Sequence, residues 1–377
     1  RTNRLHSLIN KRIKLIMAYT TINKSTDHFD TKVYTGNGSS QTLDMDNVGL
    51  LWMKNRTEDA SYRLFDSVRG GYYNSSDSPS SKLLSTDNAN SAYGSDVTLA
   101  YGINFGSSSS TIGSDGGGYN YNQNGKSYVA WQWGANGAGS ANTDGDVTST
   151  VSVNTTSGFS IVKWDSTGTA GINIGHGLGQ KPAMIIAKCL NQSSTSWPVY
   201  HQSLGATKYV SLQGTTAETT SATRWNNSEP TTTTFQTGSS GDIGGSNRTM
   251  IAYCFAEKTG YSKFGTYKGN SANDGTFIYT GFSVGFIMVK RKNSTGNWIL
   301  HDLKRSSSGG DNQNQYILHA NTNSSRMTDE SAVDLYSNGF KWRNAYTDQN
   351  ANGSSYIFMA FAEAPLVGTN NIAANAK

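Results

Sequence analysis

The groups in this chain that could do acid–base, nucleophilic or metal chemistry are its carboxylates, six histidines and two cysteines, and their spacing decides what each can do. Asp66 and Asp302 hold matching positions, each three residues before an arginine, Arg69 and Arg305. Between them in the chain, His201 stands near the same slot and Gly205 takes the arginine's place. A group that one of three copies does without fits a turn or ion-pair device better than a catalyst. Glycoside hydrolysis needs two carboxylates facing each other across a cleft, and the Glu-x-Asp-x-x-Glu pattern of sandwich-type glucanases does not occur. Glu257 and Glu363 occupy equivalent places in separate repeats, which makes them counterparts and not a pair. His176, in Gly-His-Gly-Leu-Gly, has no GxSxG elbow or HExxH to work with and reads as a turn histidine. We expect no catalytic residue.

Asp144 and Asp146, in Asn-Thr-Asp-Gly-Asp, resemble half of a calcium loop without its remaining ligands and terminal glutamate. Calcium at these two is the one cofactor the chain suggests. Cys189 and Cys254 have no CxxC neighbour, so zinc is not indicated. Both fall within apolar strands and read as buried, reduced thiols that would lie close together if those strands pair. The aromatics set among Ser, Thr and Asn, namely Tyr72, Tyr73, Tyr119, Tyr121 and Trp225, either stand exposed and suited to stacking on sugars, with Asn and Asp holding the hydroxyls, or simply cap the cores beneath their loops.

The elements that must position these groups come in threes. Tyr356-Ile357-Phe358-Met359-Ala360-Phe361-Ala362-Glu363 is matched by Met250–Glu257 and by Tyr128-Val129-Ala130-Trp131-Gln132-Trp133. Each is apolar on both alternating faces, Ile357, Met359 and Phe361 pointing one way and Tyr356, Phe358 and Ala360 the other. Such a strand belongs in the middle of a packed β structure. Each follows, at a similar distance, an apolar strand ending in lysine: Leu50–Lys54, Met184–Lys188 and Phe286–Lys290. Short strands bounded by Gly, Asn and Ser turns, with hardly any helical periodicity, predict an all-β chain of three consecutive antiparallel β-sandwich modules of concanavalin or jelly-roll type. The expected divisions are an N-terminal arm 1–28, modules at 29–137, 157–258 and 259–365, a low-apolar linker 138–156 and a tail 366–377. The short junction Glu257–Gly260 predicts that the second and third modules stack rigidly end to end.

Only 15% of residues are charged, against about 25% in ordinary soluble domains, while Gly, Ser, Thr and Asn abound. The net charge of +5 comes from Arg1, Arg4, Lys11, Arg12 and Lys14; the rest carries as many basic as acidic residues. A neutral body argues against nucleic-acid binding. No run reaches the roughly 20 apolar residues of a membrane span. Leu5, Leu8, Ile9, Ile13 and Ile16 recur at helical spacing through the basic arm, which either docks on a partner or lies upstream of a natural start at Met17.

Met17–Ser25, YTGNG at 34–38, LFDSVRG at 64–70, NGKSYVAWQW at 124–133, YCFAEKTGYSKFGTYKGN at 253–270 and FMAFAEAP at 358–365 resemble a family of tailed-bacteriophage virion proteins, common in phages of marine bacteria and labelled tail fibre or structural protein. The likeness spans residues 17–377. It implies lectin-like sandwiches on the particle surface, displayed as a tail-fibre or appendage component or as a capsid-decorating protein. The implied partners are other virion proteins, further copies of the chain (as a trimer) and host cell-surface polysaccharide. A glycan depolymerase is the rival reading.

Overall fold

The structure is a computed structural model that describes residues 19–45, 49–70, 83–90, 102–106, 109–115, 118–305, 313–325 and 327–368. The first eighteen residues of the arm, Tyr72, Tyr73 and the end of the tail lie outside the described residues. The chain is all-β, built from antiparallel sheets. Among the described residues no helix is long and apolar enough to cross a membrane.

One four-strand order recurs three times. A first strand (Phe29–Thr35, Phe159–Ser166, Ser262–Lys268) pairs with a closing strand (Ser127–Gly134, Arg248–Phe255, Ser355–Pro365). The closing strand pairs with the lysine strand (Gly49–Asn55, Met184–Cys189, Phe282–Arg291), and that with a third (Arg63–Asp66, Pro198–His201, Trp298–Asp302). Register repeats with it: Phe29 faces Trp133 and Phe159 faces Phe255, while Phe361 faces Ser262. The additions differ. The first module has a separate three-stranded sheet, Gln41–Leu43, Ser110–Ile112 and Ile103–Phe105, and the second a two-stranded one, Ile172–Gly175 with Thr234–Thr237. In the third, Gln313–His319, Met327–Tyr336, Gly339–Trp342 and Phe277–Tyr279 continue the main sheet to eight strands. The stretch read as a linker is partly sheet: Ser140–Asn142 and Ser149–Asn154 extend the second module past Phe159–Ser166. Thr150, Val151 and Val153 are β-branched residues that suit a pleated, half-buried surface.

The two oily faces of each closing strand go to different cores. Tyr356, Phe358, Ala360 and Ala362 pack inside the third module; Met250, Ala252 and Cys254 do so in the second, and Tyr128 and Ala130 in the first. The opposite faces, Val129/Trp131/Trp133, Ile251/Tyr253/Phe255 and Ile357/Met359/Phe361, all enter one common core. At its centre the equivalent rings Trp133, Phe255 and Phe361 form a nearly equilateral triangle, with centroids 6.1, 5.7 and 6.0 Å apart and edge-on contacts. Phe29 adds a ring 4.8 Å from Trp133 and 5.1 Å from Phe361. The modules are thus arranged about an approximate threefold axis, and the expected end-to-end stacking of the second and third is not found. Each sheet has a second apolar face to cover, and the other two modules cover it. The junction after Glu257 turns at Gly260, whose φ of +74° and close approach to Thr20 suit a residue without Cβ.

The lysines that end the middle strands are buried, and all three are held alike. Lys54 Nζ donates to the carbonyls of Ala60 (2.7 Å) and Asn323 (3.0 Å), Lys188 Nζ to those of Thr195 (2.5 Å) and Ala89 (3.1 Å), and Lys290 Nζ to those of Gly296 (2.6 Å) and Thr215 (2.8 Å). The first acceptor of each pair is in the lysine's own module and the second in a neighbour, so the first module holds the third, the second the first, and the third the second. The same three neighbouring carbonyls also accept the backbone N–H of Ala60, Thr195 and Gly296. A buried ammonium is tolerated when carbonyl oxygens replace its water, and here those oxygens close the ring.

We predict that Phe255→Ala or Phe361→Ala costs about 3–5 kcal/mol and lowers the unfolding temperature of the whole chain in one cooperative transition. Differential scanning calorimetry showing a separate early transition of one module would contradict the shared core.

Candidate functional site

Asp66 and Asp302 are at the module interfaces, fully buried. Asp66 Oδ2 accepts from Arg69 Nε (2.5 Å) and from the Tyr253 hydroxyl of the second module (2.8 Å), while Oδ1 accepts the Arg69 backbone N–H (2.9 Å). Asp302 repeats this with Arg305 Nε (2.5 Å), the Arg305 backbone N–H (3.0 Å) and Trp131 Nε1 of the first module (3.0 Å). Burial and the neighbouring carboxylate push the Tyr253 hydroxyl well above its ordinary pKa, which keeps it a donor. Every lone pair direction used by these carboxylates serves packing, and neither faces a cleft.

The exception in the second module follows from its neighbour. Trp131 and Tyr253 occupy equivalent positions, and their counterpart in the third module is Met359, which has no N–H or O–H to offer. The residue facing it is accordingly His201, whose Nε2 meets the backbone carbonyl of Phe358 (3.1 Å) and whose Nδ1 accepts the N–H of Ser203 (3.1 Å). With no carboxylate there, no arginine is needed, and Gly205 turns at a φ of +73°.

His176 is a turn residue: Nδ1 accepts the N–H of Leu178 (3.2 Å), and Nε2 is 3.4 Å from the carbonyl of Thr231. Asp146 Oδ2 accepts from the backbone and side chain of Asn173 (2.7 and 3.0 Å), and Asp144 accepts from Asn142 (2.8 Å). No three His, Cys, Asp or Glu side chains among the described residues group as metal ligands. The cysteine strands do pair, but the register sets Cys254 against Ile185 and Cys189 against Met250, so the thiols are four residues apart along the ladder. Both are buried and free.

Of the aromatics expected at the surface, two are core residues. Tyr121 is fully buried against Phe65 (6.0 Å), and Trp225 is buried between Tyr200 (6.0 Å) and Phe235 (6.5 Å). Tyr119 is half-buried, stacked on Tyr121 at 6.2 Å. Loops rich in Ser and Asn fold over the module cores, and these rings plug them. Tyr121 and Trp225 therefore present no free face, and Tyr119 gives one of its faces to Tyr121.

Two other surfaces are open. Between the first and third modules runs a polar cleft of about 520 Å³ lined by Asp30, Lys32, Asp44 and Lys304, beside a small pocket that adds Phe29 and Glu363. On the outside of the third module, Phe277 and Tyr279 are 44% and 55% exposed and share one face of the edge strand Phe277–Tyr279. The sequence carries a signal for them in Gly-Thr-Phe-Ile-Tyr-Thr-Gly, two rings two residues apart between glycines, and a strand of three residues is short enough to be passed over.

A family described as Domain of unknown function (DUF7483) matches residues 24–365. No curated protein and no solved structure matches the chain.

Burial lowers the imidazole pKa of His176 and of His201 to about 4, and that of His301 to about 3 with help from the nearby Arg305 charge. A base held below its unfolded value near 6.5 takes its proton more readily in the unfolded chain. The stability these rings contribute is therefore whole above about pH 6.5 and is lost as pH falls through 4, by on the order of 3 kcal/mol per ring. We predict that the urea midpoint falls steeply between pH 6.5 and 4, and that His201→Asn flattens part of that slope; an unchanged slope would show that His201 is not held neutral.

Proposed function

The chain belongs to the DUF7483 family, and we infer that it is a non-catalytic structural protein of a bacteriophage particle, displayed on the surface as a tail-fibre or appendage component that contacts host glycans. The observation that carries this reading is the closed ring of three modules. A shared aromatic centre, three lysine clasps and three interface contacts from Asp66, His201 and Asp302 spend the chain's buried charged and polar groups on rigidity. The exterior is left neutral overall and dominated by hydroxyl and amide groups, the make-up of a surface that meets water and sugars without attracting polyanions. The virion-like phrases support it too, since LFDSVRG and YCFAEKTGYSKF include Asp66, Arg69, Tyr253 and Phe255, the residues that make the ring. Weak sugar contacts multiplied over several copies, with a trimer of chains as the unit, would supply avidity.

The cleft between the first and third modules favours one alternative. Asp30 and Asp44 line it, with Glu363 in the adjoining pocket, the kind of residue a glycan depolymerase needs on facing walls. Lys32 and Lys304 stand among them, and we read the group as a charge-balanced seam.

We predict that gold-labelled antibody against the chain decorates intact particles at the tail or its appendages, as seen by electron microscopy. Absence from purified particles would end the structural reading. Release of reducing sugar from host polysaccharide by the purified chain, abolished in Asp30→Asn, would replace it with the depolymerase.

A further inference from the structure

The third module carries its exposed rings on a prepared surface. Its edge strand Phe277–Tyr279 pairs with Gly339–Trp342, which pairs with the end of Met327–Tyr336, so Phe277, Lys341 and Asp334 lie directly across from one another. Tyr279, Gly339 and Tyr336 form the next such row. The alternate residues Ile278, Phe340, Leu335 and Val333 point inward to the module core. Among the described residues no second sheet covers the outer rows, where Phe277 and Tyr279 remain exposed.

Phe277 is seated, not loose. A Cβ at residue 339 would come within 2.7 Å of the Phe277 ring, so the glycine opens the floor on which that ring lies. From there it meets Tyr336 edge-on at 5.8 Å. The tyrosine is fixed in turn: its hydroxyl donates to Asp334 (3.0 Å) and accepts from Arg343 (2.9 Å). Arg343 also reaches Asp334 through Nε (2.5 Å) and Asp274 through Nη1 (3.1 Å), and Lys341 pairs with Asp274. The strip therefore combines held aromatic faces with a row of two cations and two carboxylates whose formal charges cancel.

We propose that this strip is a binding platform for an uncharged polysaccharide, with Phe277, Tyr279 and Tyr336 stacking on pyranose rings and Asp334 and Arg343 taking their hydroxyls. The inference rests on the reading of the chain as a glycan-contacting surface protein and gives that contact a place. Rings two residues apart on a strand stand roughly 7 Å from each other along it, so an extended sugar chain lying along the edge meets both. Aromatic side chains with few rotors bury a pyranose face at small entropic cost. Carboxylate and guanidinium groups already locked together present acceptors and donors in a fixed pattern, and pre-organisation of this kind lowers the cost of binding. The cancelling charges favour a neutral sugar over an acidic one, because an anionic chain would gain nothing from Lys341 and Arg343 that Asp274 and Asp334 did not take back.

The test is affinity electrophoresis of the full chain through gels containing neutral glucan, mannan or galactan, with acidic alginate as the charged control. We expect retardation by at least one neutral polymer and none by alginate. Phe277→Ala should weaken it tenfold or more and Phe277→Ala/Tyr279→Ala should abolish it, both while keeping the single cooperative unfolding transition, since neither ring belongs to the module core. Lys263→Ala, on the opposite edge strand, should bind as the parent does. Full binding by the double variant overturns the platform while leaving glycan contact, and the particle-labelling result, intact. A parent chain that no neutral polymer retards overturns the platform as well, as does finding both rings shielded by another particle protein.

Discussion

A β-sheet that is apolar on both faces cannot be covered by its own module alone, and that constraint organises this molecule. One face of each closing strand is satisfied locally, and the other is left with Trp133, Phe255 or Phe361 facing outward from the module. Three such faces meeting around one point take the second apolar face of every closing strand out of water. The triangle of rings is where they meet, and its nearly equal sides follow from three strands in the same register. Sharing one core lets modules of about a hundred residues act as a single, larger packing unit.

Bringing the sheets together also buries polar groups, and the structure answers for them with two sets of contacts that run round the ring in opposite senses. Each lysine donates hydrogen bonds both to carbonyl oxygen at home and to one carbonyl next door. Each third strand sends a side chain to the next module's closing strand: Asp66 to the Tyr253 hydroxyl, Asp302 to the Trp131 indole, and His201 to the backbone at Phe358. Donor and acceptor are matched at every junction, since a carboxylate opposite Met359 would be buried without a partner. These contacts also distinguish the three junctions, which a purely apolar interface would not.

Much of this was legible in residues and spacing. Period-two alternation identified the strands and both faces of Tyr356–Ala362, and the recurring lysines marked equivalent positions whose surroundings are indeed alike. The Asp–Arg spacing pointed to an ion pair. What the alternation could not state is what covers the second face, so end-to-end stacking was as compatible with it as a ring. Exposure of single aromatics was also hidden: Tyr121 and Trp225 sit in polar stretches, yet a ring one residue from a turn can fold back under it. Pairing register separated Cys189 from Cys254, and register depends on partners far along the chain. Phe277 and Tyr279 show the reverse, a short edge strand whose rings stay outside because Ile278 between them takes the inward position.

The ring divides the molecule into a part that can vary and a part that cannot. Towards the axis the three modules are nearly interchangeable, strand for strand. Away from it they have diverged: the first adds a detached three-stranded sheet, the second widens its main sheet to eight strands at both edges and adds a two-stranded ribbon, and the third widens its main sheet to eight strands at one edge. Insertions on the periphery lengthen a hairpin or widen a sheet without reaching the hub, whereas one added residue in any closing strand would turn a hub ring toward the wrong side. Such a scaffold can acquire new surface properties one sector at a time while its hub stays constant.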